Sequence, residues 1–165
     1  MRVEAKLEEL GLTLPEPPKL PPGVQLSFAW VRVHWVRVHQ DRAYVSGQGP
    51  LNPDGSIAEP LGKVGVDLSV EEGYQAARLS ALTILSSLKR ELGDLDRVTA
   101  WLMAYGLVNA DPDFTLTTNV INGFSDLILE VYGAEVGTHA RMAPGLATLP
   151  LGVPVVIGAE VAISS

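Results

Sequence analysis

The segment from Ser69 to Leu92 places the strongest constraint on the fold, because its pattern is that of one long amphipathic helix. Ser69 and Glu72 form the S-x-x-E pattern of a capping box, and Gly93 is suited to end the helix. Apolar residues recur at near-helical spacing along the segment, at Ala76, Leu79, Ile84 and Leu88. Such a helix packs its apolar face against another layer, so the flanking segments decide the fold class.

The flanking segments are mostly strand-like and predict a β-β-α-β-α-β-β order. Apolar runs predict a second helix over residues 113–132 and strands over 24–39, 42–48, 97–109, 140–148 and 153–163. The apolar phase slips at Trp35 and Val36, which predicts a bulge or a turn into a further strand. We expect the last two strands to form a hairpin through residues 149–152. The economical architecture is α+β, a single mixed sheet of about six strands with two helices packed on one face.

The start of the chain predicts a short helix followed by an arm. Residues 3–11 carry apolar side chains at helical spacing and end at Gly11. Leu14 to Gly23 holds five prolines and is expected to lie extended over the surface. Too little chain precedes this arm for a second domain. Residues 1–165 are therefore predicted to form a single domain, with 1–23 as an N-terminal helix and Pro-rich arm.

Composition excludes several functional classes. The chain has 165 residues, no cysteine, 12 basic and 19 acidic residues, and a formal net charge of −7. A general nucleic-acid binder needs a positive surface, so no nucleic-acid partner is expected. The lack of cysteine excludes a disulfide framework and a thiolate nucleophile. We find no signal peptide and no membrane segment in the sequence, and we expect a cytoplasmic protein without membrane partners.

Few residues offer chemistry on sequence grounds alone. His34 and His39 are five apart, which puts them on opposite faces of a continuous strand, so no metal site is predicted. His139, two residues before Arg141, is the histidine of interest. The Gly62–Gly65 stretch lacks the full phosphate-loop pattern and is interpreted as a plain loop. No G-x-S-x-G motif and no convincing Ser/His/Asp set is present.

Arg141 and the glycines after the second strand have two interpretations each. Arg141 is the only charged side chain between Glu135 and Glu160, and a guanidinium in apolar surroundings needs a partner. That partner is either a carboxylate of the protein, such as Glu135, or the carboxylate of a ligand. The glycines of the Ser46–Pro50 stretch either let the backbone approach a ligand or form a tight exit into a turn.

Six short motifs in register resemble the RidA (YjgF-type) family. The similarity is closest to its longer branch, labelled endoribonuclease L-PSP and chorismate-mutase-like. It spans about residues 3–163 and rests on Ser46-Gly47-Gln48, Gly62-Lys63-Val64-Gly65, Val70-Glu71-Glu72-Gly73, Leu92-Gly93-Asp94-Leu95, the stretch from Val120 through Gly133 to Arg141, and Leu149 to Val155.

The resemblance implies a chorismate-mutase-like fold, homotrimers and ligand clefts between subunits. It implies that Arg141 clamps a substrate carboxylate and that the backbone at Gly47 and Ala143, together with Gln48, contributes to substrate binding. Deaminating members use a glutamate on the last strand to position the water that hydrolyses an imine. Val156 stands at that position here, so no catalytic residue is assigned. The resemblance indicates no cofactor.

Three functions follow as hypotheses. The first is a RidA-like enamine/imine deaminase that releases ammonia and a 2-keto acid, with Arg141 as carboxylate anchor. The second is a non-catalytic binder of small carboxylates, which Val156 favours. The third is an endoribonuclease or translation inhibitor, which the net charge of −7 disfavours. For the trimer, we expect an apolar sheet face that the helices leave open, with Val45, Val155 and Ile157 as candidates.

Overall fold

A computed structural model describes residues 2–24 and 34–165. The described residues form three helices, α1 (Arg2–Glu9), α2 (Val70–Leu92) and α3 (Thr117–Gly137). They form six strands, β1 (Val36–His39), β2 (Arg42–Gln48), β3 (Val98–Asn109), β4 (Ala140–Met142), β5 (Gly145–Leu146) and β6 (Val155–Ile163). The predicted first strand lies mostly outside the described residues, and β1 is its described end. Both long helices appear where the apolar spacing predicts them, and Gly133 (φ 77°) interrupts α3 where that helix is expected to end.

The strands form one mixed sheet in the order β1-β2-β6-β3-β4, with β5 also paired to β3. The pairs of β4 and β5 with β3 are parallel, and the other pairs are antiparallel. The helices α2 and α3 pack together on one face of this sheet. The α+β architecture predicted from the sequence is therefore confirmed.

The expected hairpin between the last two strands is wrong. The strands β4 and β6 pair with opposite edges of β3, and β6 lies between β2 and β3. Burial explains the difference, because the side chains of β6 that face the helices are all buried and favour a central position. The short β4 carries Arg141 and is followed by Pro144, which suits an edge.

The prediction of which side chains lie on the open face of the sheet is also wrong. Val45, Val155 and Ile157 point toward the helices and belong to the buried core, at 6%, 0% and 0% exposure. Side chains alternate between the two faces of a strand, and this alternation does not reveal which apolar set faces the helices. The set expected on the open face is the one that faces the helices. The open face instead carries residues such as Tyr44, Met103, Tyr105, Val156 and Glu160.

The N-terminal region lies against the domain as an extended arm. The carboxylate of Asp96 accepts the backbone N–H of Val3 (2.9 Å) at the start of α1. Farther along, the N–H groups of Glu16 and Lys19 donate to the carbonyl oxygens of Pro53 and Gly55, both at 2.9 Å. This agrees with an arm laid over the surface. No helix within residues 2–24 and 34–165 is long and apolar enough to cross a membrane.

Candidate functional site

The end of β2 turns backbone and side chain toward a cavity. The pairing of β2 with β6 is irregular between Val45 and Gln48, so Gly47 lies exposed while Gln48 turns inward and is 2% exposed. A Cβ atom on Gly47 would lie 2.7 Å from Cγ1 of Val156. A side chain at position 47 would therefore clash with Val156, which explains the glycine without a ligand. Neither interpretation of the Ser46–Pro50 stretch is decided by this contact.

The cavity has a volume of about 470 Å³ and a mostly apolar wall. It lies between the Pro-rich arm, the end of β2, Thr83 of α2 and the turn that precedes β6. Its described lining is Pro18, Lys19, Leu20, Trp35, Ser46, Gly47, Gln48, Gly49, Pro50, Leu51, Ile57, Thr83, Pro150, Leu151, Val153 and Val156. Lys19 is the one charged residue of that described lining. No described lining residue is an acid or a histidine, so the part of the wall that is described offers no general base.

Arg141 lies at the other edge of the sheet and is held by neutral acceptors. It pairs with Ala104 of β3, and its side chain lies against α3. Nη1 donates to Oγ of Ser125 (3.0 Å), and Nη2 donates to Oδ1 of Asn122 (2.7 Å) and to the carbonyl oxygen of Thr118 (3.4 Å). No described carboxylate pairs with Arg141, and the alternative of an ion pair with Glu135 is wrong for the described chain.

His139 extends this arrangement by one residue. Its Nδ1 lies 2.7 Å from the carbonyl oxygen of Gly137, which only an N–H can satisfy. Nε2 is then the acceptor in the neutral ring, and it lies 2.9 Å from Oγ of Ser125. Ser125 therefore donates to His139 and accepts from Arg141. The sequence indicated His139 but missed Ser125 and Asn122, although residues 118, 122 and 125 recur at helical spacing as a polar stripe on an apolar helix.

The predicted binding residues do not meet within one chain. The pairing across the sheet runs from Arg141 on β4 through Ala104 on β3 and Ala159 on β6 to Val45 on β2. Three strand spacings, roughly 14 Å, therefore separate Arg141 from β2. Gly47 and Gln48 line the cavity, and Val156 lies beside them. Ala143 follows Arg141 after β4 and lies at the Arg141 edge, apart from the cavity.

Two further charged residues, Glu160 and Lys63, form contacts within the chain. Glu160 lies four residues beyond Val156 on the same strand and accepts the hydroxyl of Tyr105 at 2.9 Å, outside the cavity. That hydrogen bond raises the pKa of Tyr105. In the Gly62–Gly65 loop, the Lys63 ammonium donates to Oδ1 of Asn109 at 3.1 Å and to the carbonyl oxygen of Ala147. Lys63 thus ties its loop to the end of β3 and to the segment that follows β5, which agrees with a structural loop.

Comparison with known proteins identifies the family. The family described as "YjgF/chorismate_mutase-like, putative endoribonuclease" matches residues 37–159. The chain belongs to this family. Protein TCP17 of Trypanosoma cruzi is 41% identical over 99% of this chain and 96% of its own length. The resemblance to RidA (YjgF-type) proteins is therefore confirmed at the level of the family.

Two solved structures have the same architecture. The protein Atu1372 from Agrobacterium tumefaciens, described as of unknown function, is 36% identical and has a TM-score of 0.84 over 99% of this chain and 92% of its own. A protein from Shewanella oneidensis described as a putative endoribonuclease is 27% identical, with a TM-score of 0.83 over 98% of this chain and 99% of its own. These similarities extend over nearly the whole chain.

Proposed function

We propose that this YjgF-family protein binds small carboxylate-bearing metabolites in clefts between the subunits of a homotrimer. The observation that carries the proposal is the state of Arg141. Its guanidinium has five N–H groups, of which three are used by the neutral acceptors Ser125, Asn122 and Thr118. The Nε hydrogen, one Nη1 hydrogen and the full positive charge remain for a ligand, and a carboxylate complements that charge.

The cleft is proposed to combine two subunits because each holds only part of the site. The separation of roughly 14 Å between the Arg141 edge and β2 is too wide for one small metabolite to bridge. In a closed cyclic assembly, the Arg141 edge of one subunit lies against the cavity edge of the next. Arg141 and Ala143 of one copy then face Gly47 and Gln48 of its neighbour. The net charge of −7 argues against RNA as the ligand.

Hydrolysis of an imine at this site is proposed to be slow. The reaction needs a water oriented and partly deprotonated beside the carbon under attack, and a positioned base contributes about 10²–10⁴-fold. Val156 supplies neither a lone pair nor a hydrogen bond, and no other described lining residue is an acid or histidine. Binding without efficient turnover is therefore favoured over an efficient deaminase.

Ammonia release from α-iminobutyrate tests this proposal. The wild type is expected to accelerate release only weakly over the uncatalysed reaction, and Val156→Glu is expected to raise the rate by at least about tenfold. Ala162→Glu is the matched control, because it adds the same charge to the same face of β6 away from the cavity. Light scattering checks assembly of each variant. If Val156→Glu is no faster than the wild type, the argument from Val156 is wrong. Cleavage of RNA by the wild type at physiological salt would contradict the proposed ligand class.

A further inference from the structure

His139 lies at the end of a short series of hydrogen bonds that leads to Arg141. Its Nε2 lies 2.9 Å from Oγ of Ser125, and the same oxygen accepts Nη1 of Arg141 at 3.0 Å. Because both nitrogens bond one oxygen, they lie within about 6 Å of each other. A charge on the imidazole ring is therefore close to the guanidinium that is proposed to hold the ligand.

Both charge states of His139 satisfy this arrangement of hydrogen bonds. Nδ1 carries its hydrogen in either state and donates it to the carbonyl oxygen of Gly137 at 2.7 Å. In the charged ring, Nε2 donates to Oγ of Ser125, which has two lone pairs and accepts Arg141 as well. The Ser125 hydrogen then turns to the carbonyl oxygen of Ile121, four residues earlier on α3, as serines within helices commonly do. Protonation of His139 therefore costs no hydrogen bond.

Arg141 is the charged group that hydrogen bonds connect to His139. The titratable or charged side chains of α3, β3 and β4 are Tyr105, Asp126, Glu130, Tyr132, Glu135 and Arg141. The first two carboxylates of α3 take hydrogen bonds from α2, the two tyrosine hydroxyls donate to other acceptors, and Glu135 is exposed. Within the described chain no carboxylate pairs with His139. The protonated ring therefore adds its charge to that of the guanidinium.

We infer that His139 makes ligand binding at Arg141 proton-linked, so that a carboxylate bound there draws a proton onto the ring. This inference rests on the proposed function and concerns the regulation of the same site. The charged ring attracts the carboxylate, and both side chains are half-buried, where charges are screened less than on an open surface. Without ligand, the guanidinium repels that charge. Histidines change charge between about pH 5 and 8, so the affinity for the ligand rises as the pH falls through this range.

The test measures the affinity for α-ketoisocaproate by calorimetry at about pH 8 and about pH 5.5. This probe is a small carboxylate whose acid is strong enough to stay ionised at both values. The wild type is expected to bind it about three- to tenfold more tightly at the lower pH. Between these values, titrations in buffers of different ionisation enthalpy are expected to show uptake of a fraction of a proton for each ligand bound.

Two substitutions of His139 fix its charge in opposite ways. His139→Gln keeps an acceptor for Ser125 but is never charged, so its affinity is expected to match that of the wild type at pH 8 and to stay there at pH 5.5. His139→Lys is always charged and is expected to bind at pH 8 about as tightly as the wild type does at pH 5.5. His39→Gln is the matched control, because His39 is exposed and pairs with Arg42 at the end of β2 remote from Gly47. It is expected to keep the wild-type pH response.

The outcomes distinguish this inference from the proposed function. If the wild type binds equally well at both pH values, or if folded His139→Gln keeps the pH response, His139 is structural and the inference is wrong. Thermal unfolding checks folding at both pH values. Where His139→Gln unfolds, a wild-type pH response in His139→Lys overturns the inference instead.

The anchor is tested separately. If the pH response is absent while Arg141→Met abolishes binding, the proposed function still holds and only the inference fails. If the wild type does not bind the probe, or if Arg141→Met binds it as the wild type does, the proposed function fails and the inference fails with it.

Discussion

The two sides of α3 meet their neighbours with different electrostatics. Toward α2, Arg78 donates to both carboxylate oxygens of Glu130 at 3.1 Å, and one turn away Tyr74 donates to Asp126 at 2.7 Å. These contacts raise the pKa of Arg78 and of Tyr74, in each case mainly through the hydrogen bond to the carboxylate. Toward β4, Arg141 meets a hydroxyl, an amide oxygen and a backbone carbonyl, and no described carboxylate.

This comparison separates an arginine whose charge is paired within the chain from one that no described carboxylate pairs and that the proposed function assigns to a ligand. The Arg78–Glu130 pair balances its own charge, so it requires nothing from outside the chain. The neutral acceptors around Arg141 fix its position without cancelling its charge. Preorganisation of this kind lowers the cost of binding, because the side chain is already ordered before the ligand arrives.

The largest expected effect is that of Arg141→Lys on ligand affinity. The ammonium keeps the charge but lacks the several directed N–H groups of the guanidinium, so the affinity for α-ketoisocaproate is expected to fall about 10- to 100-fold with little change in unfolding temperature. Arg78→Lys is the matched substitution on the other side of α3 and is expected to leave affinity unchanged. Calorimetry and thermal unfolding of both variants measure this. Equal losses of affinity in the two variants would remove the distinction between the two arginines.

A smaller effect is expected from Ser125→Ala. It removes the hydroxyl between Arg141 and His139, so the guanidinium keeps its charge and two of its three acceptors. We expect a severalfold loss of affinity, because the anchor is less well ordered before binding. Ser125→Thr, which retains the hydroxyl, provides the rescue test. Full affinity in Ser125→Ala would show that Asn122 and Thr118 hold Arg141 without Ser125.

The smallest effect is expected on the other side of α3, from Arg78→Met. Its partner Glu130 is 43% exposed, so water replaces the lost contact, and pairs of this kind contribute only about 0.2–1 kcal/mol. Urea denaturation is expected to show a loss of that size, and ligand affinity is expected to be unchanged. A loss of affinity would mean that the orientation of α3 itself limits binding at Arg141.

The sequence predicted the local structure of this protein better than its strand pairing. The capping box at Ser69 and Glu72 is present with both bonds, at 2.8 and 3.1 Å, because it depends only on residues three apart. The position of β6 depends on which strands it pairs with, and no local sequence pattern predicts those partners. The same limit explains why Val45, Val155 and Ile157 were assigned to the wrong face.

The site was predictable in its parts and not in its connections. Arg141 stood out as an isolated charge, and the Gly47–Gln48 position and Val156 came from the resemblance to a family. The partners of Arg141 were missed because Ser125 and Asn122 lie 16 and 19 residues before it and meet it only when the chain returns from α3 to the sheet edge. The Ser87–Gln48 contact joins residues 39 apart and was beyond any spacing rule.

Co-assembly of two variants that each lack ligand binding tests the two-subunit cleft most directly. Arg141→Met removes the anchor, and Val156→Phe fills the cavity wall beside Gly47; neither variant alone is expected to bind α-ketoisocaproate. In mixed trimers formed from equal amounts, about one quarter of the clefts combine an intact Arg141 with an intact cavity, so that fraction of wild-type binding is expected to return. Light scattering and mass spectrometry confirm that mixed trimers form. Mixed trimers that recover no binding would contradict the two-subunit cleft.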